Sequence, residues 1–382
     1  MIGSVIVEKT VKRERQSNFE LLRIVSMLMI IAHHFSYHGG FSFAPQELSV
    51  NAVWINSLLP IGKIGVDIFV LISGYFLSKS SKLTVKKIAK FWGQLLFYSA
   101  FIYIIFVLIQ KEEWSVKALL SSFIPRWFAS TYFYMFLLSP LLNKIIDSIT
   151  QRQHIIVLLG GFVLWCVIPT LLAQVCGSNK LLWFIYLYFV SAYIRKYADN
   201  INLSSLKCLI AAVFFWLVSF LLELVFPQIF IVFPKYFSHD MNTVFVFLSS
   251  VFLFLAFKNF KTGCIKAVNV IASATFGVYL IHDNDLVRNV LWNDIFRNTA
   301  YQNSRILIPY TIFAVVCIFV VSSVIELVRI YTVEKGFIKL IDIAEPTITK
   351  AADFLLNCVI KFTKKCALLL EKKNKTIKNI DK

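Results

Sequence analysis

Apolar residues run along this chain in blocks of about twenty, and the polar and charged residues gather in short intervals between them. A helix rises 1.5 Å per residue and the hydrocarbon of a bilayer is about 30 Å thick, so a block of roughly 20 apolar residues is long enough to cross it. The pattern predicts ten spans, at 19–38, 58–78, 92–110, 121–142, 154–174, 181–195, 206–226, 243–257, 268–287 and 306–329. The fold class this implies is all-α, a polytopic transmembrane helix bundle. The first block carries Arg23 and two histidines and is followed by no small-residue cleavage site, which argues against a removed signal peptide.

Composition agrees with a membrane class. Of the 382 residues 58% are hydrophobic and 16% charged, against about 45–50% and about 25% in soluble domains. That balance excludes disorder, a collagen repeat and a disulfide scaffold. The seven cysteines are scattered without a C-x-x-C pair, and Cys166 and Cys317 fall inside apolar blocks, so they read as small buried residues.

The net charge of +18 would in a soluble chain suggest nucleic acid, but no soluble basic domain remains here to bind one. Its distribution says more. With an even number of spans both termini share a side, and starting inside places 29 of the 39 Lys and Arg in cytoplasmic segments and seven in the opposite loops. Positive-inside bias therefore puts both termini in the cytoplasm. Residues 1–18 form a basic N-terminus, 19–330 the membrane domain and 331–382 a basic tail. Within the tail, Phe354, Leu355, Cys358, Val359 and Phe362 recur at helical spacing with Lys between them. An amphipathic helix on the anionic lipid of the cytoplasmic face is the expectation.

Ionisable residues inside spans are costly and mark candidate sites. Arg23 and His34 lie eleven residues apart, three turns, and so share one helix face with Glu20; His33 is rotated by about 100°. His34 lies about 22 Å along the helix, in the outer half. It is either a bundle histidine bonded to a carbonyl or a working one. Asp67, about 13 Å into the second span from the outer side, reaches a similar depth. It either pairs with His34 or bonds a neighbouring hydroxyl. His282 converges on the same depth from the ninth span, whereas Glu326 near the inner end of the tenth reads as interfacial. The run Lys86-Lys87-Ile88-Ala89-Lys90 either holds the phosphates of a cytosolic cofactor or sets topology and touches anionic lipid.

Several of these segments resemble one known family, in the same order along the chain. Asn18-Phe19-Glu20-Leu21-Leu22-Arg23 through His34 is similar to the first helix of the acyltransferase family 3 membrane proteins, with its basic residue, ten residues and His. Gly65-Val66-Asp67-Ile68-Phe69 with Ser73-Gly74-Tyr75 resembles the second-helix signature. Arg126-Trp127-Phe128 with Leu138-Ser139-Pro140, Ala192-Tyr193-Ile194-Arg195, and Phe276-Gly277-Val278-Tyr279-Leu280-Ile281-His282 resemble later ones. The chain departs from the family where Lys86-Lys87-Ile88-Ala89-Lys90 replaces an Arg-x-x-Arg-Ile-x-Pro element, losing the bidentate fork of Arg.

The resemblance implies transfer of an acyl group, commonly acetyl, from a cytosolic acyl-CoA such as acetyl-CoA to a hydroxyl of an envelope polysaccharide or lipid-linked glycan, in a bacterial plasma membrane and without a metal. His34 would act as base or acyl carrier, with Asp67 orienting it and His282 beside it. Arg23, Lys86, Lys87 and Lys90 would hold the donor. Tyr279, Trp127 and Arg126 would line the acceptor side. A glycan exporter using Arg23, His34 and Asp67 as a proton relay is the alternative.

Overall fold

The computed structural model describes residues 16–44, 47–80, 83–123, 127–172, 179–199, 201, 203–225 and 240–380. Among these there is no strand. The helices are α1 (Ser17–Tyr37), α2 (Val50–Leu77), α3 (Val85–Leu108), α4 (Val116–Ser122), α5 (Trp127–Ser148), α6 (Gln151–Phe162) and, after a π-helical turn at Val163–Val167, α7 (Ile168–Leu172). They continue with α8 (Lys180–Tyr197), α9 (Ser205–Val225), α10 (Val244–Asn259), α11 (Lys266–Ser273), α12 (Thr275–His282), α13 (Asp285–Asn289), α14 (Leu307–Tyr331) and α15 (Val333–Ile380). Among the described residues six stretches are long and apolar enough to cross a membrane: Ser17–Tyr37, Val50–Leu77, Val85–Leu108, Gln151–Leu171, Ser205–Leu222 and one within Leu307–Thr363.

Two of the expected spans are not single helices. The block at 121–142 is divided between α4 and α5, and the block at 268–287 is cut at Ala274, between α11 and α12, and again at Asp283. Hydropathy alone cannot register such breaks, because they lie inside runs that remain apolar. The second break matters most, since it places His282 and Asp283 at a helix end.

Two compact units divide the chain. One is drawn from residues up to Lys82 and from Gln94–Val328, the other from Leu83–Gly93 and Arg329–Lys382. In the first, α1 packs along α2, and small residues set how closely. A Cβ on Gly65 would lie 2.7 Å from the Ser26 carbonyl oxygen, and one on Gly62 would meet His33 at 2.2 Å. The Ser26 hydroxyl then donates to the Gly65 carbonyl at 2.9 Å, the cross-helix bond expected where backbones approach closely in an apolar medium.

Each end of this unit is tied by polar side chains. At the α1 N-terminal end, Ser17 donates to Asn269 at 2.9 Å and Asn18 to the Phe257 carbonyl at 2.9 Å. Tyr75, Arg195 and Asp199 form one hydrogen-bonded group there. At the opposite end, Asn51 donates to the carbonyls of Gln302 and Ser304, Trp54 to Thr311 at 3.2 Å, and Asn298 to the Phe35 carbonyl at 3.2 Å.

Prolines inside helices leave carbonyls without their usual donor, and the unit supplies replacements. Pro140 cannot reach Phe136, whose carbonyl accepts from the Ser139 hydroxyl at 2.7 Å. Pro169 likewise frees the Trp165 carbonyl, which accepts from Asn242 at 2.7 Å.

The second unit sets the start of α3 against α15. Lys86 pairs with Asp342 at 2.6 Å, Lys90 with Glu334 at 2.6 Å and Arg329 with Glu334 at 2.6 Å. The Phe337 ring occupies the space a side chain on Gly93 would need. Further along α15, Phe354, Leu355, Val359 and Phe362 are exposed.

Gly65→Leu should destabilise the protein in detergent by about 1–3 kcal/mol, the cost of overpacking a tight contact. Gly160→Ala, where nothing lies within 4 Å, should leave the thermal midpoint unchanged or slightly raised; equal effects of the two would contradict the α1–α2 contact.

Candidate active site

The site is assembled from the end of α1 and the end of α12. Consecutive residues on a helix diverge by about 100°, so His33 and His34 are sent to different neighbours. His33 faces α2, where its Nδ1 donates to the Leu59 carbonyl at 2.7 Å and its ring seats on Gly62. His33 is thus the carbonyl-bonded bundle histidine. His34 meets His282, with Nδ1 of the first 3.0 Å from Nε2 of the second.

The protons in this pair follow from one further contact. His282 Nδ1 lies 2.6 Å from the Val278 carbonyl, and a carbonyl only accepts, so that nitrogen carries a hydrogen. A neutral His282 then offers a lone pair at Nε2, and the hydrogen between the rings belongs to His34 Nδ1. The lone pair of a neutral His34 is left at Nε2. The carbonyl fixes one tautomer and, through it, the other.

Asp283 adds a negative charge at the α12 end. Its Oδ1 lies 3.7 Å from His34 Nδ1, 3.9 Å from His38 Nε2 and 2.8 Å from the Arg288 guanidinium. His34, His38 and Asp283 present donor atoms within 4.8 Å of one another. Arg288 already neutralises the carboxylate, however, and His34 Nδ1 is committed to His282. The set is better suited to a proton than to a metal ion.

Asp67 takes different partners from the histidine considered in the sequence. It is 0% exposed, and its oxygens receive the Trp183 indole N–H at 2.9 Å and the Ser250 hydroxyl at 3.4 Å. Ser250 lies on α10 and Trp183 on α8, so the carboxylate joins those two helices to α2. A direct His34–Asp67 pair is corrected accordingly: the carboxylate beside His34 is Asp283. Asp283 falls inside the expected span 268–287, where His282 beside it drew the attention; Arg288 five residues on was the available signal.

Glu326 also departs from the interfacial position expected of it. It is 1% exposed and accepts from Tyr98 at 2.5 Å and Gln94 at 2.9 Å. Gly277 leaves room for it, since a Cβ there would meet the Glu326 carboxyl carbon at 2.4 Å.

The basic candidates are differently placed. Arg23 lies 3.8 Å from Glu20, its guanidinium 5.9 Å from the Phe69 ring. Its buried Nε–H has no hydrogen-bond partner among the described residues, a donor that an anion would satisfy. Lys86 and Lys90 hold the carboxylates of Asp342 and Glu334, while Lys87 lies on the first turn of α3. Of the acceptor-side candidates, Tyr279 packs edge-on against Phe128 at 4.9 Å. Trp127 packs on Phe128 and Phe184 and carries Lys180 4.2 Å over its ring. Arg126 lies outside the described residues.

A cavity of about 310 Å³ is lined by Tyr98, Ser99, Tyr103, Tyr279 and Asp283 among others, and Asp283 is its contact with the group around His34. A histidine pair of fixed tautomer with a carboxylate beside it is chemically able to exchange a proton. The acyltransferase family 3 model, described as an acyltransferase domain, matches residues 16–327. The chain belongs to that family and is a multi-pass membrane acyltransferase. No curated protein and no solved structure matches it.

Trp183→Phe should leave the buried Asp67 carboxylate short of a donor and cost about 1–3 kcal/mol, read as a fall in thermal midpoint in detergent. Asp67→Asn keeps an acceptor for the indole and should cost less; the reverse order would remove the Trp183–Asp67 bond from the account.

Proposed function

We propose that this acyltransferase moves an acetyl group from cytosolic acetyl-CoA to a hydroxyl of an envelope or extracellular polysaccharide, in the cell membrane of a bacterium. The observation that carries the reading is the Val278–His282–His34 chain of hydrogen bonds, which leaves a basic lone pair on His34 Nε2. Ten spans with both termini in the cytoplasm, as the charge distribution favours, would give the two ends of α1 to donor and acceptor respectively.

In this mechanism His34 Nε2 takes the proton of the acceptor hydroxyl as its oxygen attacks the thioester carbonyl. The carbon–sulfur bond breaks, and the departing thiolate takes the proton back from His34 to leave CoA as a thiol. His282 holds the imidazole in orientation, and Asp283 supports the transient imidazolium. Positioned acid–base catalysis of this kind contributes about 10²–10⁴-fold. An acyl group carried briefly on His34 would use the same nitrogen.

Arg23 supports the donor side through its unsatisfied Nε–H. Within the second unit, Lys86 and Lys90 would bind the phosphates of a donor by exchanging Asp342 and Glu334 for them. The exposed apolar residues of α15, between Lys350 and Lys361, support its lying on anionic lipid.

His34→Ala should abolish polymer acetylation in cells while the polymer still reaches the surface in normal amount, measured by mass spectrometry of envelope glycans. Loss of the polymer itself would favour an exporter, and retained acetylation would remove His34 from the mechanism. Arg23→Ala should raise KM for acetyl-CoA with a smaller change in kcat, as loss of a binding contact does; an unchanged KM would place the donor phosphates elsewhere.

A further inference from the structure

Asp283 is held by a grip that proton transfer alone does not explain. One guanidinium nitrogen of Arg288 donates to Asp283 Oδ1 at 2.8 Å and to the Asp283 backbone carbonyl at 3.2 Å, and another lies 3.5 Å from Asp285 Oδ1. The turn that carries them is fixed as well: the Arg288 N–H donates to the Asn284 carbonyl at 2.7 Å, and the Asn284 side chain accepts the Leu286 N–H at 3.0 Å. The Asp283 side chain is 6% exposed, so solvent screens its charge poorly. Held this way, Oδ1 stands 3.7 Å from His34 Nδ1, beyond hydrogen-bond reach. The Nδ1 hydrogen of His34 therefore stays with His282, at 3.0 Å.

We propose that Arg288 is a positioning residue that acts through Asp283: it holds the carboxylate off His34, so that His34 rests neutral and can serve as the base. The inference rests on the acyltransferase reading above and adds a control on its base. A lone carboxylate beside an imidazole favours the charged ring, and an imidazolium has no lone pair with which to take the proton of an acceptor hydroxyl. Paired with Arg288, Asp283 presents a dipole in place of a full charge. It still lies near enough to favour the cation that forms during transfer, without making that cation the resting state. Released from Arg288, the carboxylate would close on the His34 Nδ1–H and compete with His282 for it.

The other groups that reach His34 do not replace this control. His282 Nε2 accepts, its tautomer fixed by Val278. His33 is turned to the Leu59 carbonyl, and Lys63 on α2 adds positive charge. Asp285 is exposed and shares the same guanidinium. His38, whose ring lies 5.3 Å from that of His34 and whose Nε2 lies 3.9 Å from Asp283 Oδ1, draws on the same carboxylate and is the competing destination for it.

The test labels the six histidines with ¹⁵N and follows the full chain in detergent by NMR across pH, the His34 signals being assigned by their loss in His34→Gln. In the unsubstituted protein at neutral pH, His34 and His282 should both show the Nδ1–H tautomer. Arg288→Gln should move the His34 titration midpoint up by about one pH unit, and Asp283→Asn should move it down by a similar amount. The double variant should return close to the starting midpoint, and Arg288→Lys should keep most of it. In membranes containing the full chain, transfer of label from acetyl-labelled acetyl-CoA to envelope material should show the same displacements in the acid limb of kcat/KM. A His34 midpoint that Arg288→Gln leaves unchanged or lowers, or a shift confined to His38, would overturn the assignment. Midpoints that move as stated while the activity profile stays put would instead overturn His34 as the base on which the inference rests. Should Arg288→Gln fail to fold, Arg288→Met, neutral and of similar reach, carries the same expectation.

Discussion

Within the spanning part of this protein a polar group has no water to fall back on, and each one must find its partner in the fold. The His282–Val278 hydrogen bond is where this constraint becomes chemistry. A carbonyl one turn back fixes the hydrogen on Nδ1, and that assignment passes through the second nitrogen to His34. In water either histidine would exchange tautomers freely. In the bundle one backbone oxygen removes that freedom, and which nitrogen of His34 keeps its lone pair is decided two residues away from it.

The same requirement organises the surroundings. Asp67 is held by Trp183 and Ser250, Glu326 by Tyr98 and Gln94, and the carbonyls freed by Pro140 and Pro169 by Ser139 and Asn242. Apart from the Ser139 bond within α5, these join elements far apart in the chain, so a polar side chain acts as a cross-link where the apolar packing alone would not choose a register. Burial without such a partner would be expensive. Arg23 is one of several exceptions among the described residues: its Nε–H is buried and lacks an acceptor there, on the helix that also carries His34.

Much of the site was legible in the sequence because helical periodicity is local. Eleven residues between Arg23 and His34 place them on one face whatever surrounds them, and the rotation between His33 and His34 follows from the same geometry. The convergence of His34 and His282 could be anticipated from depth. Their direct contact could not, since depth says nothing about which faces of two helices meet. Asp67 shows the limit clearly: its position in a span announced a buried carboxylate, but its partners come from α8 and α10, more than a hundred residues on. Glu326 was misjudged for a related reason, because nearness to the end of an apolar run does not reveal that Gly277 opens a niche for it.

By itself the sequence determined that the chain is a helical membrane protein and which few ionisable groups lie within its apolar runs. Those properties are set by composition and by the fixed rise and turn of a helix. The tertiary structure alone decided that Asp283, and not Asp67, accompanies the histidine pair, that Glu326 is enclosed, and that Lys86 and Lys90 hold carboxylates of α15. It also set the breaks at Ala274 and Asp283 that bring His282 to a helix end. Pairing of this kind depends on how helices distant in sequence rotate against one another, and in a medium without water that rotation is chosen by which polar groups can satisfy each other.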